Sequence, residues 1–590
     1  MGSINIIMGK PGVTGGPGRG LRVRSAAALG AIAVGFLLLI VQLARLQIAE
    51  SHFYCGLARQ QQIVSRLISA ERGRIFDRQG RLLASSVPAW SVFADPKTVT
   101  KTERTAALLS QVLDLPEDGL LRDLQKDRFF VWVKRQVSEE EAQRVRRLGL
   151  PGVHMRRESK RLYPQGKLAA HVIGFTDIDG RGLAGIERTM DAILRGRPGM
   201  EKVLCDGGRR IIRSPYDRLE RVPFNGFDVT LSLDAYVQSI AEEVLAQAVE
   251  KHKPECAATV VMDPSDGSVL AMACWPDFNP QHPADTPVGH QRNVAVTDAY
   301  EFGSVFKPIT VGLALESRLV EPETQFDCHQ GQWQIGRRPL RDVHPYGVLT
   351  VSDILCHSSN IGAAQIGQAL GAGAFHRGVR QFGFGRATGI ALPGEAGGIV
   401  RPGRAWNEYS VVSVAFGQEL SATPLAMARA FATFANGGRL LQPRIVDCVT
   451  RAADGLVAYT AGEPTELARP LNAETASTVL AMLRRVVAEG TGRNAQLPDY
   501  QIAGKTGTAQ LLREDGRGYS QSRHLSSFIG IAPVDSPRVV VLVTLKNPTK
   551  NGHYGGVVAA PAVREIARRT LRYMDVPPAE PLQLASGEEP

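Results

Sequence analysis

The alternation of apolar and polar positions divides this chain before any single residue is considered. Residues Ala26 to Ala44 form an apolar run in which Gln42 is the only polar side chain. A bilayer core takes ~20 such residues to cross. Lys10, Arg19, Arg22 and Arg24 precede the run, and an excess of Lys and Arg marks the side of a membrane that is not translocated. The downstream flank, Arg45-Leu46-Gln47-Ile48-Ala49-Glu50, has no small-residue site of the kind at which a signal peptide is cut. The pattern predicts an uncleaved transmembrane helix over 25–45, with residues 1–24 as a loose cytoplasmic tail.

Beyond the anchor, Gln47 to Arg66 reads as a polar helix. Gly73 and Gly80 suggest tight turns around a short strand. Helical patterns follow over Thr102 to Leu113 and Ser138 to Leu148. The texture changes near Pro223. Asp228 to Leu233 alternates like a strand, and Asp234 is placed to cap an amphipathic helix running to about Lys251. Ala258 to Met262 and Val269 to Ala273 flank Asp263-Pro264-Ser265-Asp266-Gly267, a hairpin pattern. Leu525 to Ala532 and Val539 to Lys546 read as further strands, and Ala562 to Met574 as a closing helix. Helices layered on both sides of a sheet are expected over 225–575. The stretch from Pro577 is rich in proline and glutamate and reads as a loose tail.

At 590 residues, roughly three to four domain-sized units are expected. A net charge of +11 suits an anionic membrane or polymer surface. Zinc-finger spacing and a basic region with heptads are both absent from the sequence, so nucleic acid is not an expected partner. The seven cysteines, at 55, 205, 256, 274, 328, 356 and 448, are odd in number and include no Cys-x-x-Cys. Neither a zinc site nor a disulfide framework is supported; buried free thiols are the expectation.

Three short motifs carry the chemistry. Ser304-Val305-Phe306-Lys307 is a Ser-x-x-Lys, Ser358-Ser359-Asn360 a Ser-x-Asn, and Lys505-Thr506-Gly507 a Lys-Thr-Gly. In this order they form the residue set of serine acyl-transfer enzymes that open β-lactams or cross-link peptidoglycan. A serine hydroxyl needs an adjacent base, and positions i and i+3 share a helix face, which would set Lys307 beside Ser304. Pro308 is tolerated only in a first helical turn, so Ser304 is expected at a helix N-terminus. Lys307, desolvated and near the second cation Lys505, could lose its proton and act as base. Ser358 could relay a proton, and Asn360 could hold a peptide backbone. Thr506, Gly507 and Thr508 are the expected substrate-binding segment, with the backbone N–H groups of Ser304 and Thr508 as an oxyanion hole. Each motif is common alone: a second Ser-x-Asn, Ser3-Ile4-Asn5, lies in the tail. Gly504-Lys505-Thr506 resembles the end of a P-loop, but Asp499 stands where its first glycine is required.

With these motifs the chain resembles the class B penicillin-binding proteins, the monofunctional peptidoglycan D,D-transpeptidases. The resemblance covers most of the chain beyond the anchor. RGRIFDRQGRLLA at 72–84, RLYPQGKLAAHVIGF at 161–175 and GLAGIERTMDAILRGRPG at 182–199 resemble boxes of the non-catalytic pedestal. YEFGSVFKP at 300–308, HSSN at 357–360, FGFGRATGIALPGE at 382–395, TPLAMARAFATFANGG at 423–438, AGKTGTAQ at 503–510 and SSFIGIAP at 526–533 resemble catalytic boxes. Within the class, length and YGGVVAAP at 554–561 look most like the division-specific FtsI type. Arg523-His524 departs from the pattern, where an aromatic residue is expected, and so do the cysteines.

The resemblance implies an α/β (α+β) architecture. Its parts would be an anchor helix, an elongated dimerisation-type pedestal over 46–222, a transpeptidase domain over 223–576 with a central antiparallel sheet between helices, and a tail over 577–590. It implies septal cross-linking of D-Ala-D-Ala stem peptides through a Ser304 acyl-enzyme, inhibition by β-lactams, and no metal or organic cofactor. It further implies a single-pass protein of the inner membrane with its catalytic domain in the periplasm. The implied partners are a SEDS-type membrane glycosyltransferase and other division proteins. An elongation-specific transpeptidase, a serine β-lactamase or β-lactam sensor, and a non-catalytic scaffold remain open alternatives at this stage. Residues 72–200 show no nucleophile–base pair and are assigned to positioning and partner contact; Arg72 and Asp77 either form an internal ion pair that fixes this part of the fold or meet a partner, and both readings stay open at this stage.

Overall fold

The computed structural model describes residues 19–205, 211–212, 218–336, 338–513 and 518–578. Most of the expected N-terminal tail and of the C-terminal tail falls outside them. The described chain forms two compact units: 19–68 with 198–223, and 69–197 with 224–578.

The first unit holds the helix Arg19–Ala44, exposed along residues 20–44, as an apolar helix made for lipid would be. The helix Ser51–Gln62 follows. The expected polar helix over Gln47–Arg66 does not run its full length: Ile63–Ile68 is a strand paired with Gly199–Cys205. The β-branched run Ile63-Val64 favours extended backbone, where a branched side chain keeps its rotamer.

The second unit holds both remaining layers. Its central sheet has five antiparallel strands in the order Val269–Trp275, Cys256–Met262, Val539–Lys546, Tyr519–Ala532, Ala503–Leu512. The alternation within them has a physical meaning. Ala257, Val261, Val541 and Val543 pack on the helices Ala235–His252 and Ala560–Tyr573. Ala258, Val260, Val540 and Leu542 face a second core that includes Phe306 and Phe431. A sheet covered on both faces must be apolar on both, so these strands read as continuous hydrophobic runs. Asp234 caps the helix Ala235–His252 through the N–H groups of Tyr236 and Val237, as its position predicts. The predicted helix at 102–113 is Thr102–Leu113, and Ser138 closes a capping box on Glu139–Leu148.

A second sheet carries the strand Phe227–Leu231, which pairs with Ile75–Phe76 in parallel and with Val446–Arg451 in antiparallel. The internal ion pair between Arg72 and Asp77 is not formed. The Arg72 guanidinium donates to Glu187 at 2.6 Å and to Asp191 at 2.6 Å, and Arg161 donates to the other oxygen of Glu187 at 2.6 Å. Asp77 instead accepts from the backbone N–H groups of Gln79, Arg81 and Ala235. It makes a turn and ties that turn to a helix start. Local sequence suggested the wrong partner because Glu187 reaches Arg72 only through the tertiary fold.

Glu187 is fully buried between two nearly buried guanidinium groups. Removing one member of such a set leaves uncompensated buried charge, at a cost of ~3–5 kcal/mol. Glu187→Ala should therefore lower the unfolding free energy by that order in urea denaturation of the detergent-solubilised chain. A loss under ~1 kcal/mol, the value of an exposed pair, would contradict this role.

Candidate active site

Ser304 lies in the 3₁₀ turn Gly303–Phe306, which leads directly into the helix Lys307–Glu316 with Pro308 in its first turn. Gly303 has φ +56° and abuts Ala509. That region of backbone space favours glycine. The Ser304 hydroxyl makes no hydrogen bond to a described residue.

The strand Ala503–Leu512 forms one edge of the central sheet. It comes so close to the serine turn that a Cβ on Gly507 would lie 2.5 Å from Val305 and 2.7 Å from the Phe302 carbonyl. Glycine at 507 is thus a packing requirement. An edge strand keeps one row of backbone groups unpaired by the sheet, available to an extended chain or a developing oxyanion.

Lys307 and Lys505 are both fully buried. The Lys307 amine donates to the Ser358 carbonyl at 2.5 Å and to Asn360 Oδ1 at 2.8 Å, and lies 3.3 Å from Ser358 Oγ. Lys505 donates to the same Ser358 Oγ at 3.0 Å and to the Thr506 carbonyl at 3.2 Å. One hydroxyl therefore sits between two amines. Burial first, and the charge of Lys505 second, push Lys307 well below an ordinary lysine; burial pulls Lys505 down to about 7. Two charges cannot cheaply share so dry a space, and Lys307 gives up its proton first. A neutral amine has two N–H bonds and one lone pair. Its N–H bonds are used by the two carbonyl acceptors, which leaves the lone pair for a hydroxyl proton.

Ser358 follows the helix Val351–His357 and adopts a left-handed conformation, φ +62°. A non-glycine residue there stores strain of order 1–3 kcal/mol, a level tolerated mainly at functional positions. The surroundings that hold it were not evident in the sequence. Asp342, delivered by the hairpin Gln332–Ile335/Arg338–Arg341, accepts from Ser359 Oγ at 2.5 Å, Asn360 N at 2.5 Å and Ile361 N at 3.1 Å. Ser359 in turn caps the helix that begins at Asn360. Asp342 fixes the position of Asn360, and with it Lys307. An isolated aspartate 16 residues before Ser358 carries no motif, so only the fold could reveal it.

Thr506 and Thr508 are placed less openly than their motif suggests. The Thr506 hydroxyl bonds Thr491 at 2.9 Å and is nearly buried. The Thr508 hydroxyl accepts from Gly555 N at 3.0 Å. At the rim, Arg523 pairs with Glu255 at 2.9 Å. His524 stacks on His553 with centroids 4.3 Å apart, and His553 on Tyr554 at 4.6 Å. Burial and the neighbouring His553 hold His524 below its ordinary value. All seven cysteines are free thiols; Cys205, Cys274, Cys328 and Cys356 are buried as expected, whereas Cys55 is exposed. Among the described residues no cluster of His, Cys, Asp and Glu could hold a metal.

The family described as penicillin binding protein transpeptidase domain matches residues 257–568, and the penicillin-binding protein dimerisation domain matches 67–231. The chain is 35% identical to a probable peptidoglycan D,D-transpeptidase, PenA, of Neisseria meningitidis, covering 96% of this chain and 95% of the relative. It is 32% identical to the peptidoglycan D,D-transpeptidase FtsI of Escherichia coli, over 96% and 94%. Stage V sporulation protein D of Bacillus subtilis is 34% identical, over 92% and 84%. Among solved structures, penicillin binding protein 3 of Mycobacterium tuberculosis in complex with aztreonam superposes with a TM-score of 0.68 at 29% identity, covering 88% of this chain and 99% of that one. These matches span both the dimerisation-domain and the transpeptidase-domain regions: the chain belongs to the class B penicillin-binding proteins, the serine acyltransferase family of peptidoglycan D,D-transpeptidases.

Proposed function

We propose that this chain cross-links peptidoglycan stem peptides during septal wall synthesis, with Ser304 as nucleophile. The observation that carries the reading is the Ser358 hydroxyl held between Lys307 and Lys505, next to a serine turn pressed against an edge strand. Lys307 takes the Ser304 proton as Oγ attacks the penultimate D-alanine carbonyl. The tetrahedral oxyanion is held by the N–H groups of Ser304 and Thr508. Lys505 keeps Ser358 polarised, and Ser358 passes the proton to the departing D-alanine amine. The amine of a second stem peptide then attacks the ester, returns its proton along the same path and frees Ser304. Asn360 and the edge strand around Thr506, Gly507 and Thr508 hold the donor peptide. β-Lactams would acylate the same hydroxyl. The chemistry draws on no cofactor.

The anchor, with its basic N-terminal flank, supports a cytoplasmic N-terminus and a catalytic domain on the outer side of the inner membrane. The reading divides the chain into tail 1–24, anchor 25–45, pedestal 46–222, transpeptidase domain 223–576 and tail 577–590. Similarity to FtsI supports the septal role, and with it a SEDS-type glycosyltransferase and other division proteins as partners.

Ser304→Ala should abolish labelling of the full-length chain by fluorescent penicillin while Lys307→Ala slows it ~10²–10⁴-fold, the usual effect of losing a general base. Undiminished labelling of the Ser304 variant would refute the assignment.

The acylation rate should follow a bell in pH. On the acid side Lys307 regains its proton. On the alkaline side Lys505 loses its charge as pH passes about 7. Lys505→Arg, whose guanidinium stays charged, should acylate more slowly at every pH yet lack the alkaline limb. If that limb persists in the variant, Lys505 is not its source.

For topology, a reporter fused near Pro577 should be protected from cytoplasmic modification, and the mature chain should retain its anchor. A mature N-terminus near Gln47 would contradict this.

A further inference from the structure

The outer face of the sheet within 69–197 departs from the alternation that builds it. The strand Leu82–Ala94 pairs with Val131–Val137 along one side and with Val153–Leu162 along the other. One face of these strands packs Val92, Ala94 and Val137 into a small core with the helices Thr102–Leu113 and Glu139–Leu148. A sheet with one buried face should turn polar side chains outward on the other. Here the opposite face carries aromatic rings instead. Phe93 lies across from Trp132 on one neighbour and His154 on the other. Its centroid is 5.0 Å from Phe130, 6.2 Å from Trp132 and 5.4 Å from His154. Phe130 is 42% exposed and the adjoining Phe129 70%. Single exposed apolar residues need no explanation; a contiguous cluster does.

The charges around the cluster leave a positive surplus: among the described residues the Asp95 carboxylate accepts only from the Lys97 backbone N–H, against the exposed Arg128, Arg156 and Arg157. Lys97 sits over Phe129 at 4.2 Å and pairs with Asp127. Arg135 sits over Trp132 at 4.9 Å and pairs with Glu158 and Asp179. Arg128 and Arg156 are exposed and have no carboxylate partner among the described residues. Aromatic rings beside arginine are the composition of protein-binding hot spots, and a surplus of positive charge selects an acidic partner. The ring orientations argue against a sugar platform, which needs open coplanar faces. Phe130 and Phe93 meet Trp132 edge-on, at 84° and 81°, and Arg135 covers one face of Trp132.

We propose that this face is the docking site for a segment of another protein in which apolar side chains alternate with or flank Asp and Glu. The apolar side chains would fill the notches between the rings, and the carboxylates would reach Arg128 and Arg156. This inference concerns a surface apart from Ser304 and its lysines and does not rest on their assignment.

The test uses the full-length chain in its own cells, with the photoreactive residue p-benzoylphenylalanine in place of Phe130. After irradiation, the adduct is digested and its attached peptide sequenced by mass spectrometry. The expected adduct is a polypeptide segment with Asp or Glu within a few residues of its apolar side chains. Arg156→Glu should cut the adduct yield at least about tenfold, equivalent to ~1.4 kcal/mol, whereas Arg156→Lys should keep it. Labelling of Ser304 by fluorescent penicillin should be unchanged in all of these chains, which shows that they are folded. Adducts with a glycan, a lipid or a second copy of this chain would overturn the proposal. So would a segment without acidic residues, an adduct yield indifferent to Arg156→Glu, or a yield no greater than that from the same photoreactive residue at the exposed control position Arg104.

Discussion

The site depends on the burial of two lysine amines around one serine hydroxyl. Water would leave both charged and neither useful as a base. Removed from water and set on either side of Ser358 Oγ, they are forced apart in proton affinity. Burial and the charge of Lys505 push Lys307 well below an ordinary lysine, and burial pulls Lys505 down to about 7. Much of the catalytic half can be read as the means of holding that arrangement. Carbonyl oxygens of Ser358 and Asn360 occupy the Lys307 N–H bonds. The left-handed turn at Ser358 aims its hydroxyl between the two amines, and Asp342 pins the residues that follow it.

Close approach is the second constraint. The serine turn and the Lys-Thr-Gly strand come from segments two hundred residues apart in sequence, and they meet only because Gly303 and Gly507 lack side chains at the contact. The central sheet makes this possible by being covered on both faces and open at one edge. Its helices lock the strands in register, while the edge strand remains available to an extended ligand. Thr506 and Thr508 spend their hydroxyls on Thr491 and Gly555, which ties the strand to its neighbours.

The segment before the catalytic half solves a different problem with a related device. Arg72, Arg161, Glu187 and Asp191 concentrate charge in a nearly dry space. It persists because each guanidinium finds both carboxylate and carbonyl acceptors. Such a network is a poor source of net stability but a strict specifier of which segments may meet.

The sequence alone determined the N-terminal apolar helix, the apolar strands at 258–262 and 539–546, the cap at Asp234, the helix that begins near Ser138, and the order of the three catalytic motifs. These are local properties, set by side-chain periodicity, by hydrogen bonds within a few residues, or by chemistry that admits few residue types. It misread Ile63 to Arg66 as helix and paired Arg72 with Asp77, because strand pairing and buried ion pairs are decided by neighbours distant in sequence. Only the tertiary structure could supply Asp342, the left-handed turn at Ser358, the histidine stack at the rim and the aromatic face around Phe93. Each consists of ordinary residues whose significance comes from partners tens or hundreds of positions away, brought into contact by the packing of layers that no local pattern encodes.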